Sequence, residues 1–186
     1  MLIDSSWDNI RAALMDGLNT YYGKPVSEHA DRHLDLVGIG QLLALSPRSE
    51  LNALSTMRYH AEFGGGNLFV LNPSDEEDST EKRKYSMQKG TKILFDEDVN
   101  YARLSKMMVD GAEIRCTSIT EKFDISDYNK KYYSRSIPLF AFNPKGRIYP
   151  FIAGDQPNAG PGWTIMALVL KEEEEQEQMI NQSDSP

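Results

Sequence analysis

An α+β fold is predicted for this 186-residue chain: a helical N-terminal third packed on a mainly antiparallel sheet of about five or six strands. Three observations carry the expectation. Apolar residues recur at spacings of three and four from Trp7 to Ala61, as they do on helices that cover a core. From Asn67 onward they come instead in short runs rich in Ile, Phe, Tyr, Val and Leu, bounded by Asn, Gly and Pro, as strands do. Strict alternation of strand and helix, which a parallel doubly wound sheet requires, is missing.

The first helix follows Ser5 and Ser6, either of which can cap the free amides of its first turn. Trp7, Ile10, Leu14, Leu18 and Tyr21 form its apolar face, and Gly23 and Pro25 end it. Ser27 caps a second helical stretch that reaches Leu45, with a break expected at Gly38 and Gly40. A third begins at Ser46 and Pro47, where proline is harmless in the first turn, and runs through Leu51, Leu54, Met57 and His60 to the three glycines at 64–66.

Residues 67–72 read as the first strand. The following stretch, 73–84, has hardly an apolar residue and is expected to be exposed and mobile, with a short helix after Ser79 or Thr80. Residues 92–95 form a second strand. A firmer helix spans 97–109: acids crowd its start, where the macrodipole favours them, and Gly111 stands at its stop.

Residues 112–123 alternate like a long strand, with Ile114 and Cys116 on one side and Arg115 and Thr117 on the other, and a bulge where the phase shifts near Ser118. The polar and aromatic 125–136 segment is a loop or one or two helical turns. Residues 137–143 and 147–153 make a hairpin around Pro144, Lys145 and Gly146, and 163–170 is the last strand. The hairpin turn and the Gly/Pro-rich loop 154–162 are expected at opposite ends of the sheet.

Residues 1–170 therefore read as a single α+β domain, and 171–186 as an acidic, disordered tail. Of the net charge of -8, the tail carries -5, from one Lys against five Glu and one Asp, leaving -3 for the body. A local basic face can still bind a polyanion under that nearly balanced total. The single cysteine, Cys116, excludes an intramolecular disulfide, and the first residues have neither the basic start nor the apolar run of a signal peptide. A cytoplasmic setting is expected. No apolar stretch approaches the ~20 residues that span a bilayer, so no membrane partner is expected.

Chemistry-bearing residues fall into two groups. His29 and His33 are four apart and share a helix face, and His60 lies on another predicted helix; with a divalent transition metal they would make a hydrolase site with an open position for water. The plain reading is solvated helix surface. The second group is the segment 127–135, where Tyr128, Tyr132 and Tyr133 alternate with Lys130, Lys131 and Arg135: tyrosine faces stack on bases while cations meet phosphates, the chemistry of single-stranded nucleic acid binding. Its plain reading is half-buried rings at a sheet margin.

Loop 154–162 adds Asp155, Gln156 and Asn158 as hydrogen-bonding groups on a rigid sheet. Cys116, mid-strand among apolar neighbours, reads as buried and inert. The three glycines at 64–66 enter a strand rather than open a helix, so they make no phosphate loop.

No pattern fixes a reaction. The leading expectation is a non-catalytic cytoplasmic binding or assembly protein that takes a protein partner or a small anionic ligand, without a cofactor, near Lys131, Tyr132, Arg135 and the 154–162 loop. That outline is common among adaptor, inhibitor and viral or phage accessory proteins, by association alone. The alternatives are the metal-dependent hydrolase using His29, His33 and His60, and the nucleic-acid binder.

Overall fold

The computed structural model describes residues 1–73, 90–132 and 135–171. The expected acidic tail apart from Lys171, Tyr133 and the helix after Ser79 lie outside them. The chain divides into two compact units, Met1–Lys92 and Ile93–Pro186. Helices and strands occur in both, and the α+β class holds.

In the first unit, β1 (Leu2–Asp4) and β2 (Thr20–Tyr22) pair in parallel, joined through helix α1 (Trp7–Met15). The Asp4 carboxylate governs the start of α1: it accepts from the Ser6 amide at 2.7 Å and from the Asn9 side chain at 2.8 Å. These bonds, the Asn9 one foremost, hold its carboxyl below the ordinary aspartate range. Neither serine side chain is needed for that role, and Ser6 at the cap position makes no side-chain cap bond.

α1 stops six residues short of Tyr21, at the positive φ of Gly17, because Thr20, Tyr21 and Tyr22 are better placed as a strand beside β1.

Ser27 does cap helix α2 (Glu28–His33), accepting from the Ala30 amide at 3.1 Å. The helix ends there rather than near Leu45. Leu34, Leu36, Ile39 and Leu42 pack instead around the buried trio Tyr59, Phe63 and Leu68. Strand β3 (Leu42–Ala44) pairs in parallel with β4 (Leu68–Val70), and α3 (Ser49–Arg58) and α4 (His60–Phe63) cross between them. A two-residue β5 (Lys92–Ile93) completes the order β3-β4-β5. The first third is thus mixed, with parallel strand pairs among its helices.

The second unit carries a four-stranded antiparallel sheet, order β6-β9-β7-β8, made of β6 (Glu113–Ser118), β7 (Ser136–Phe142), β8 (Ile148–Pro150) and β9 (Thr164–Val169). The sheet expected as one piece of five or six strands is thus a four-stranded sheet, with smaller sheets in addition. The bulge lies in β7, between Pro138 and Phe140, rather than near Ser118. Proline brings no amide to the ladder, so an interior strand holds it where the ladder is already interrupted.

Helix α5 (Tyr101–Val109) begins at its cap Asn100, whose side chain accepts from the Arg103 amide at 2.9 Å, so the acids at 96–98 precede the helix rather than open it. Of the loop and the one or two turns that the sequence left open, the structure has a helix, α6 (Ile125–Tyr132); Asp124 receives the Ser126 and Asp127 amides at its start. Tyr128 and Tyr132, four apart, bury their rings with Ile119, Ala141, Phe151, Ile165, Ala167 and Val169. No helix among the described residues is long and apolar enough to cross a membrane.

Candidate functional site

The aromatic-basic segment folds so that Tyr128 and Tyr132 serve the core. Tyr132 is only 8% exposed, its ring lies 4.9 Å from that of Tyr128, and the Lys131 ammonium and Arg135 guanidinium sit 5.5 and 5.3 Å from its ring centroid. The cations cover the ring that a base would have to stack on, so an anionic ligand here would meet Lys131 and Arg135 rather than a free tyrosine face. A shallow, open depression on the same helix is lined by Ile125, Ser126, Asn129 and Lys130, away from Tyr132.

Asp155, Gln156 and Asn158 are exposed on loop 154–162, whose Ala159 is buried. The loop does not stay at one end of the sheet. It starts where Asp155 bridges back to Ile152 and finishes with Gly162 against Pro144 of the hairpin turn. The reason is β9, which enters beside Phe142, at the turn end of β7, so the chain has to cross the length of the sheet to reach it.

That crossing assembles a second aromatic-basic group at the hairpin: the rings of Tyr149 and Trp163 lie 5.3 Å apart, and Arg147 stands 5.7 Å from the Tyr149 ring centroid. Tyr149 and Trp163 are separated in the chain by the crossing loop and meet through the pairing of β7 with both β8 and β9, so the sequence did not single the group out.

His29 and His33 do come together. Their rings stack at 4.0 Å with 15° between planes; the His33 Nδ1 donates to the His29 carbonyl oxygen at 2.8 Å, and the His29 Nδ1 bonds the Tyr21 hydroxyl at 2.7 Å. His60 opens α4 and does not join them, and among the described residues no three His, Cys, Asp or Glu side chains gather as a metal site. Asp31 and Glu62, near the histidines in sequence, are both engaged by Arg58, at 2.7 and 3.0 Å.

A surface the sequence did not single out lies on α5 and β6. The helix buries none of its residues: Val109 is 86% exposed, Met108 66% and Tyr101 44%, and on the adjoining strand Ile114 is 55% exposed. Cys116 is exposed as well, which corrects its reading as a buried packing residue. The register explains it, since Arg115 lies opposite Ala167 and Thr117 opposite Ile165, so the odd-numbered residues share the core face and Ile114 and Cys116 take the other. Helical spacing is the same whether an apolar stripe covers its own core or a partner, so the sequence carried no signal for this outcome.

The chain matches no protein-family model and no curated protein.

Proposed function

We propose that this chain is a non-catalytic binding or assembly protein that docks a protein partner through the apolar surface of α5 and β6. The observation that supports this is the exposure of Met108, Val109 and Ile114 on one helix and the strand it leads into. Exposed large apolar groups gathered on elements that follow each other in the chain mark interaction surfaces, whereas scattered single ones need no explanation. Water is a poor neighbour for such a surface, and burying it drives association. The setting is cytoplasmic, where the Cys116 thiol stays reduced. Pull-down with the wild type and with a Met108→Glu/Val109→Asp variant tests the reading. The wild type should recover a protein that the variant loses, and an identical set of recovered proteins from both overturns it.

A second reading is single-stranded nucleic acid binding at the hairpin. It is favoured by the cluster of Arg147, Tyr149 and Trp163, with Lys145 on the same turn: a cation and two aromatic rings within reach of one another. Titration with labelled single-stranded oligonucleotides at low and high salt should show salt-dependent binding that Trp163→Ala abolishes. No binding at low salt removes the reading.

A further inference from the structure

We infer that the partner at this surface is a second copy of the chain, paired antiparallel along β6 about a two-fold axis at Ile114. The inference rests on the reading of α5 and β6 as a docking surface and names its occupant. β6 is an outer strand of the four-stranded sheet, with β9 as its strand neighbour among the described residues. Its ladder to β9 fixes which way its backbone groups point. The Ile119 amide donates to the Trp163 carbonyl at 2.7 Å, just past a register in which Glu113 lies opposite Val169, Arg115 opposite Ala167 and Thr117 opposite Ile165. Alternation then sends the amides and carbonyls of the odd-numbered residues toward β9 and those of Ile114, Cys116 and Ser118 outward. An exposed edge of that kind is a template for another strand.

The charges select the register. Pairing about Arg115 would set two arginines directly opposite each other, which is destabilising. Pairing about Ile114 sets Glu113 of each chain opposite Arg115 of the other, twice by symmetry, with Ile114 against its own copy in a hydrogen-bonded pair. Glu113 is half exposed, and its ion pair with Lys171, at 2.7 Å, holds its carboxyl below the usual glutamate range. Ala112 faces Cys116 of the other copy. Its amide is already committed to the Met107 carbonyl at 2.9 Å, so its own carbonyl accepts from the Cys116 amide. Val109 and Met108, just before the turn into β6, extend the apolar contact beside the strand pair.

Sedimentation of the full chain over a concentration series, together with disulfide trapping, tests the arrangement. The wild type should sediment as a reversible dimer. Glu113→Arg should weaken it by about tenfold or more, and the swap Glu113→Arg/Arg115→Glu should restore it, because the two cross-pairs reform with signs exchanged. Lys171→Gln, which breaks only the ion pair within the chain, should leave dimerisation unchanged. An Ala112→Cys variant under mild oxidation should give a dimer in which the introduced thiol of each copy is linked to Cys116 of the other. A wild-type chain monomeric at every concentration overturns the inference. So does a dimer indifferent to Glu113→Arg, or trapping that links Cys116 to Cys116 instead. A monomeric chain that still recovers a protein lost with Met108→Glu/Val109→Asp removes only the identity of the partner, whereas a dimer with the Glu113/Arg115 behaviour upholds both readings.

Discussion

Phe95 meets Phe140 edge to face, with ring centroids 6.2 Å apart and planes at 89°, and it does so from a backbone φ of +70°. It is the one non-glycine residue with positive φ among the described residues, and the bond from the Asp96 amide to the Leu94 carbonyl closes a tight turn around it. The left-handed region costs an ordinary side chain roughly 1–2 kcal/mol, and burial of the ring, only 7% exposed, offsets that. Once the ring is removed, the strain remains in Phe95→Ala but is relieved in Phe95→Gly. Both variants should be destabilised, Phe95→Ala by about 3–5 kcal/mol. Phe95→Gly should be the more stable of the two by about 1 kcal/mol, the reverse of the usual order. Chemical denaturation of both decides it.

Two buried tyrosines should respond oppositely to loss of the hydroxyl. Tyr59 donates to the Pro25 carbonyl at 2.6 Å, across 34 residues of chain, so Tyr59→Phe should cost about 1–2 kcal/mol by orphaning that acceptor. The Tyr128 hydroxyl is buried without a hydrogen-bond partner among the described residues, while the nearby Ser136 hydroxyl donates to the Tyr132 carbonyl at 3.0 Å. Tyr128→Phe should therefore leave stability at neutral pH unchanged or raised.

Burial also pushes Tyr128 up to about 12. Its folded value exceeds the unfolded one, near 10, so the native state holds the proton longer. The stability linked to it is fully present below pH ~10 and lost as pH rises through about 12. Between those limits the stability measured by denaturation should fall more steeply with pH for the wild type than for Tyr128→Phe. Parallel curves sink the assignment.

The sequence made some features legible because a local cause decides them. Ser27 caps its helix through the next three residues, and the runs that became β7, β8 and β9 are apolar whatever surrounds them. The strands β1, β2 and β3 have three residues each and pair with segments far along the chain, and three residues show no period. Tyr21 fits a helix by spacing and was taken from it by β1, and Leu18 falls in the connection between α1 and β2. On β6 the phase was misread because Ile114 and Cys116 look inward by composition, whereas the register with β9 ties the core face to Arg115, Thr117 and Ile119. Tyr132 was legible as an aromatic beside cations and as a ring half-buried at a sheet margin; how deep it sits was not, because the packing around it comes from segments on both sides of it in the chain.

Asn52 ties down the segment that leads into α3. Buried to 3%, it accepts from the Ser46 amide at 2.9 Å and donates to the Ser46 carbonyl at 2.8 Å, holding the chain between β3 and α3 by both backbone groups of one residue. Asn52→Ala leaves both groups without their partner and should cost about 2–3 kcal/mol. Asn52→Asp is the sharper test: it keeps the acceptor but sets a carboxylate oxygen against the Ser46 carbonyl. At neutral pH it should be at least as damaging as alanine, recovering as acid protonates the new carboxyl and restores a donor. Thermal melts of the two variants at neutral and mildly acidic pH check this.

Gly162 closes the loop that crosses the sheet, and its tolerance to substitution should differ sharply from that of Gly160, two residues earlier. Gly162 has a φ of +84°, its amide donates to the Ile119 carbonyl at 2.8 Å, and an added Cβ would lie 3.1 Å from Pro144 Cγ. Gly160 has neither a positive φ nor any atom within 4 Å of an added Cβ. Gly162→Ala should thus lose about 1–2 kcal/mol to backbone strain, plus whatever Pro144 must yield, and drop Tm by several degrees. Gly160→Ala should be neutral or raise stability by about 0.4–1 kcal/mol, because it restricts the unfolded chain alone. The hairpin cluster reports on the same variants, since Trp163 follows Gly162 directly and rests near Tyr149. Gly162→Ala should shift the Trp163 fluorescence measured in a Trp7→Phe background, and Gly160→Ala should not. Equal Tm values for the two variants would show that the contact between Gly162 and Pro144 does not set the path of the loop.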